Sequence, residues 1–354
     1  MRFTYTALPG RVVFGPGVLA SLPHEAALLG KKALVLCTPG HKALGQRAAA
    51  LLGELAVGIF DRAVMHVPVE TADAACEFAR ASGADLCVAI GGGSTTGLAK
   101  AVALRSALPI LAVPTTYAGS EMTPTWGLTE GGVKRTGRDL RVLPRTTLYD
   151  PELTLSLPPA LSGTSGVNAI AHCVESLYSE IANPLISLMA EEGIRALGQS
   201  LPRIAREPDD LQARSDALYG AWLSGITLGS VGMALHHKLC HTLGGTFNLP
   251  HAQTHTIILP HAMAYNAQAA PEAMSRVARA LGAKDAIRGV VDLVAAIGAP
   301  TALKDLGMPE EGIERAAELA TTNPYYNPAP VKKDALRRLL RNAYEGRAPE
   351  SYCS

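Results

Sequence analysis

The chain has 354 residues, 48% of them hydrophobic, enough to bury one or two sizeable cores and typical of about two domains. A formal net charge of +1, with acids and bases interspersed, argues against a nucleic-acid or charged-membrane partner. The N-terminus MRFTYTALPGRVVFG lacks a signal-peptide core and no later run approaches a membrane span. Cys37, Cys76, Cys87, Cys173, Cys240 and Cys353 are scattered with no C-x-x-C, so reduced thiols in a cytoplasmic protein are expected.

The first part alternates short apolar runs with Ala/Leu-rich stretches. RVVFG from Arg11, KALVLC from Lys32, VGIFD from Val57, LCVAI from Leu86 and ILAVPT from Ile110 read as strands. Residues 45–55 and 71–82 between them carry apolar residues at helical spacing. Near-continuous apolar strands separated by helices predict a parallel sheet covered on both faces, a Rossmann-like doubly wound α/β domain. After about Asp150 the character changes. Long helical stretches dominate (166–182, 186–201, 211–243 and 274–281), with one short strand-like run, THTIILP, from Thr254. The expected division is an α/β dinucleotide-binding domain over 1–155 and an all-helical domain over 156–354, with a ligand cleft between them.

The fourth strand runs into Gly91-Gly92-Gly93-Ser94-Thr95-Thr96-Gly97 and then a helix that includes Lys100. Such a turn lets the backbone approach a pyrophosphate at a helix N-terminus, although a tight βα turn without a ligand needs the same glycines. The spacing is neither G-x-G-x-x-G nor a P-loop. The next strand ends in Pro114-Thr115-Thr116-Tyr117-Ala118-Gly119-Ser120-Glu121, whose hydroxyls could meet phosphates or a nicotinamide amide. Two such loops at neighbouring strand ends favour a nucleotide site. Thr38 stands after the second strand, where an acid would hold a ribose 2′-hydroxyl and repel a 2′-phosphate, so weak discrimination between NADH and NADPH is expected.

In the second half, Asn168 precedes His172 by four residues, His237 precedes His241 by four, and His251 follows Pro250. Residues four apart share a helix face, so each pair aims two polar groups the same way. An aspartate at 168 would complete a carboxylate-plus-imidazole set for a transition metal; the chain has Asn. His255 and His24 read as hydrogen-bonded core or interface histidines, and His236 as a neighbour without a role.

GGGSTTGLAK, PTTYAGSE, DPELTLSLPP, GVNAIAHCVES and HHKLCHTLGGTFNLPHAQTHTIILPHAMAYN occur in one order along essentially the whole chain, which is thereby similar to the iron-containing (group III) alcohol dehydrogenase family. The resemblance implies the dehydroquinate synthase-like fold of an α/β and an all-α domain. It places the family's metal positions at Asn168, His172, His237 and His251, and puts His241 near the nicotinamide. It also implies that Gly91, Gly92, Gly93, Ser94, Thr95, Thr115, Thr116, Tyr117, Ser120 and Lys134 bind cofactor. Two departures stand out: Asn168 replaces the family's anionic ligand, and Gly97 replaces the Asp of GGGSxxD. With KRTGRD from Lys134 and NPYYNP from Asn323, they resemble the branch of maleylacetate reductases. That branch implies NAD(P)H-dependent reduction of the maleylacetate C=C bond to 3-oxoadipate in aromatic compound degradation, without a required metal, in a homodimer.

Reduction of an enone needs a hydride at one alkene carbon, donors for the developing enolate and an acid for the adjacent carbon. His172, His237 and His251, with Asn168 hydrogen-bonding, are the candidates. Lys238 could steer a carboxylate, Tyr326 and Asn323 could close over the substrate, and Arg135 or Arg138 could pair with a carboxylate or phosphate. Two other readings compete: an iron- or zinc-dependent alcohol or polyol dehydrogenase in which the Asn168 carbonyl ligates, and a non-catalytic nucleotide-binding protein on the same scaffold.

Overall fold

A computed structural model describes residues 3–8, 10–131 and 133–352, so the thiol expected at Cys353 lies outside the described residues. The chain divides into two compact units, Ala7–Leu157 and Pro158–Ser354, and residues 3–6 group with the second unit rather than with the α/β domain to which the sequence reading assigned them.

The first unit runs β1 (Arg11–Phe14), α1 (Leu22–Ala27), β2 (Ala33–Leu36), α2 (Lys42–Leu52), β3 (Ala56–Phe60), α3 (Val69–Ala81), β4 (Leu86–Gly91), α4 (Gly93–Ser106), β5 (Ile110–Pro114), β6 (Thr125–Glu130), β7 (Val133–Arg138) and β8 (Thr146–Tyr149). Six strands form one sheet in the order β1-β8-β5-β4-β2-β3, every neighbouring pair parallel. Strand alternation explains the unbroken apolar runs. In β4, Leu86, Val88 and Ile90 enter one core with Leu22, Ala26 and Ala48, while Cys87 and Ala89 enter another with Ala75, Ala79, Leu98 and Val102. β8 and the antiparallel ribbon β6–β7 were not foreseen, because TTLY and the polar ribbon lack a long apolar run.

β2 pairs with β3 on one side and β4 on the other, so the chain reverses its progress across the sheet between β3 and β4. The carboxyl ends of β2 and β4 flank that topological switch point, where doubly wound sheets bind ligands. Thr38 follows one and the glycine turn follows the other.

The second unit is helical: α5 (Pro159–Leu177), α6 (Pro184–Arg206), α7 (Leu211–Ser230), α8 (Leu235–Phe247), α9 (His251–Asn266), α10 (Pro271–Leu281), α11 (Ala286–Ala296), α12 (Gly312–Thr321) and α13 (Lys333–Glu345). Two expectations are corrected. The stretch 211–243 is not one helix: it breaks at Val231–Ala234, around Gly232, and α7 and α8 meet at 95°. THTIILP is not a strand but the middle of α9. Every residue from Thr254 to Asn266 is buried, so α9 shows no polar face to betray a helical period, and packing overrides the β-propensity of its Thr/Ile run. Leu235, Leu239 and Leu243 of α8 join Ile257 and Ile258 of α9 and Leu336, Leu339 and Leu340 of α13 in one core. Among the described residues no single helix is long and apolar enough to cross a membrane.

Candidate active site

In the α/β unit, Gly91 has φ 147°, a conformation reserved for glycine, and a Cβ there would sit 2.6 Å from Thr95 Oγ1. A Cβ on Gly92 would sit 3.0 Å from Thr116 Cγ2. The β4 and β5 loops are therefore in close approach, tied by a Thr115 N–H donating to Gly91 O at 3.0 Å. α4 opens on Gly93-Ser94-Thr95 with no acid in its first turn, so its N–H groups and dipole are free of an internal anion. The hydroxyls of Thr95 and Thr115 are buried without a hydrogen-bond partner. Unpartnered donors around a glycine cradle at a helix N-terminus fit a dinucleotide pyrophosphate.

Other residues of this unit divide. Thr38 Oγ1 is 2.8 Å from His41 Nδ1. Ser120 is engaged by the buried Lys100, whose Nζ donates to Ser120 O at 2.6 Å, Thr123 Oγ1 at 2.9 Å and Thr125 O at 2.8 Å. Burial lowers the Lys100 ammonium to about 7, with Glu121 opposing the shift, and Tyr149 donates to Glu121 at 2.8 Å. Lys100 thus supports the second loop from beneath, and Tyr117 is fully buried. Lys134 lies on the β6–β7 ribbon, its pKa lowered by crowding from the protein. Arg135 pairs with Glu130 at 3.3 Å on the exposed ribbon, and Arg138 is exposed beside it. Gly97 has a local reason: a Cβ would meet Val67 Cγ2 at 2.9 Å, and Val67 is held over it with φ 45°, a strained value for a β-branched residue.

In the helical unit the expected residues converge. Asn168 and His172 lie on α5, His237 and His241 on α8, and His251 opens α9. The rings of His172 and His237 stack with centroids 5.0 Å apart; His237 and His241 are 6.0 Å apart, and His241 and His251 6.4 Å. His172 Nδ1 lies 3.2 Å from Ser224 Oγ on α7. Burial, reinforced by His237, His251 and His241, pushes the His172 imidazole well below its ordinary range, so it is neutral near pH 7.

Glu175 was missed. It lies one helical turn beyond His172 and is fully buried, and its carboxylate accepts from His237 Nδ1 at 2.6 Å, from the backbone N–H of Ala234 at 2.9 Å and from that of His236 at 2.7 Å. It therefore caps α8, which has no side-chain cap of its own, and sets the His237 tautomer with the proton on Nδ1. Nε2 of His237 and Oδ1 of Asn168 are left buried without a partner. The spacing His172-x-x-Glu175, which puts the carboxylate about one turn from a candidate site histidine, was the available signal. Lys238 and the loop at 322–327 form a separate strap. Lys238 Nζ donates to Thr322 O at 2.9 Å and lies 5.5 Å above the Tyr325 ring, while Asn323 has φ 54° and Tyr326 is exposed.

Among the described residues the one trio of imidazole, thiol or carboxylate donors with all atoms within 4.8 Å of one another is His236, Cys240 and His255, not a trio drawn from His172, His237 and His251. With the anionic position occupied by an amide as well, the family's positions do not present a preassembled metal site.

Residues 9–151 match the model of the iron-containing alcohol dehydrogenase family and residues 162–344 that of its C-terminal region. The chain belongs to the iron-containing alcohol dehydrogenase family. It is 60% identical over 348 residues to the maleylacetate reductase of Burkholderia cepacia, covering 98% of this chain and 99% of that protein. It is 57% identical to that of Sphingobium indicum, covering 99% of both. The crystal structure of maleylacetate reductase from Agrobacterium tumefaciens superposes with a TM-score of 0.95 at 50% identity, over 99% of this chain and 100% of that one.

Proposed function

We propose that this chain is a maleylacetate reductase, converting maleylacetate to 3-oxoadipate with one hydride and one proton at the expense of NADH or NADPH. The observation that carries this is full-length similarity, at 50–60% identity, to proteins bearing that name. A site in which the family's anionic ligand position is Asn168 supports it. The nicotinamide, when bound, supplies the hydride. The glycine turn Gly91–Gly93, with Ser94, Thr95, Thr115 and Thr116, is our choice for the pyrophosphate. Thr38 carries no charge to refuse a 2′-phosphate, so both cofactors are used.

The chain's own residues handle the substrate. Glu175 keeps the His237 proton on Nδ1, so the buried and unpartnered Nε2 is left as an acceptor, or as a donor once protonated. We assign His237 and His251 to proton delivery at the alkene carbon, and the Asn168 amide with His172 to hydrogen bonds that hold the ketone oxygen as enolate charge develops. His241 adjoins His237 and His251 and is assigned to the nicotinamide side. Lys238 is assigned to the strap rather than to the substrate, and Tyr326 to its exposed face. No step requires a metal. A cytoplasmic location and a homodimeric assembly are our expectations.

The test is NADH or NADPH consumption with maleylacetate, product identified as 3-oxoadipate, before and after chelation. We expect stoichiometric conversion that survives removal of iron and zinc. No consumption would end the substrate assignment; turnover restored only by stoichiometric metal would return the protein to the metal-dependent alcohol dehydrogenase reading.

A further inference from the structure

His236 reads in the sequence as a neighbour without a role and His255 as a hydrogen-bonded core histidine; both sit at the centre of the imidazole cluster. His236 follows Ala234 and Leu235 on the first turn of α8, and His255 lies one turn after His251 on α9. Both are completely buried. Nε2 of His236 lies 3.0 Å from Nδ1 of His255. The His255 ring lies 4.2 Å from His251, 4.8 Å from His236 and 5.0 Å from His237, so one side chain touches the rings of both assigned proton donors and of its own partner. Cys240 Sγ is 3.7 Å from His236 Nε2, and the three residues meet the spacing of metal ligands.

The remaining ring nitrogens decide between a metal and a hydrogen bond. His236 Nδ1 and His255 Nε2 are buried with no partner. A neutral imidazole that ligates through one nitrogen carries its proton on the other, and ligating histidines normally donate that proton to a carboxylate or carbonyl. An ion bound by this trio would leave both far N–H groups buried and unsatisfied. A hydrogen-bonded neutral pair leaves a single orphan N–H, with the other far nitrogen a bare lone pair.

We propose that His236 and His255 are positioning residues: a buried, hydrogen-bonded imidazole pair that packs His237 and His251 into working alignment, as a shared ion would align imidazoles in a metal-dependent site. The pair bridges α8 and α9, the helices that carry those two residues, so loss of the bond lets the rings shift relative to each other. Displacement of catalytic groups by about 1 Å costs roughly a hundredfold in rate. The rate readout, though not the bond itself, rests on the maleylacetate assignment.

The experiment compares variants that keep the bond with variants that keep only bulk. His236→Gln places a nitrogen or oxygen where Nε2 stands, and His255→Asn does so where Nδ1 stands. His236→Met and His255→Phe fill the space without it. We expect the Met and Phe variants to lose at least about tenfold in kcat, with KM for NADH within about twofold of wild type, and the Gln and Asn variants to recover most of the rate. Protein labelled with 15N-histidine should show an exchange-protected imidazole N–H that disappears in the Met and Phe variants. If wild type fails to reduce maleylacetate, that resonance still decides the pair. Equal kcat in the Met and Gln variants would overturn the proposal. So would Co²⁺ binding with a thiolate charge-transfer band that Cys240→Ser abolishes, since the trio would then be a metal site. If His236→Met does not fold, the His255→Phe and His255→Asn comparison carries the same decision.

Discussion

Glu175 concentrates several tasks in one carboxylate. It satisfies two otherwise orphaned N–H groups at the start of α8 and orients His237, all from a position with no solvent exposure. Replacing it with Gln preserves an acceptor oxygen but removes the charge and lets the His237 tautomer relax. We expect kcat for maleylacetate to fall by about 10–100-fold, the usual consequence of losing a partner that orients a site histidine, with little change in NADH binding. Steady-state kinetics beside a fluorescence titration with NADH checks this; an unchanged kcat would mean that His237 needs no orientation. Asn168 is the complementary case. Its identity was visible in the sequence, but that its Oδ1 is buried without a partner, and so awaits a ligand atom, was not.

At the scale of elements, α8 is assembled from outside itself. Its first-turn N–H groups are met by Glu175 of α5 and, at Leu235, by Asn327 Oδ1 at 3.3 Å. Asn327 exchanges paired amide bonds of 2.9 and 2.8 Å with Asn266 of α9 and donates to Ala329 O at 2.8 Å. The NPYYNP loop is thus bolted to the two helices that carry His237, His241, His251 and His255. Asn327→Ala leaves Asn266 and Leu235 short of partners, at a cost of about 1–3 kcal/mol. Hydrogen exchange should quicken in the first turn of α8 and in 323–330 while the α/β unit is unaffected; uniform protection across the helical unit would show that the amide pair is dispensable. The periodicity of 211–243 is helical, but the helix is interrupted at Val231–Ala234. Gly232 was the signal for a break, but a single glycine in a helix is too cheap to announce a 95° turn.

For the whole molecule, buried histidines dictate the response to acid. His172, His236 and His255 are pushed well below their ordinary range by burial and then by neighbouring imidazoles, and burial lowers His261 to about 4. His261 Nδ1 sits 2.7 Å from the Tyr352 hydroxyl, anchoring the C-terminal segment to α9. Between pH 6.5 and 4 the unfolded chain binds this proton and the folded chain does not. The stability contributed is therefore complete above pH 6.5 and lost as pH falls to about 4. Relative to His261→Asn, wild type should lose on the order of 3 kcal/mol across that window, read as diverging urea midpoints. Parallel curves would mean that the His261 proton is bound equally in both states.

The sequence by itself determined the alternation of strands and helices, the change of character near residue 150, the glycine turn and the pairs Asn168/His172 and His237/His241, because each depends on local period or fixed spacing. Its motifs also carried the family. Only tertiary structure decided that Thr254–Asn266 is helical, that α7 and α8 part at Val231–Ala234, and that Glu175, His236 and His255 belong with the site. These residues are legible only through what they touch. A buried carboxylate or imidazole carries no signature of its partner, and the bonds that define these roles cross between elements, from Glu175 of α5 to the start of α8 and from His236 of α8 to His255 of α9.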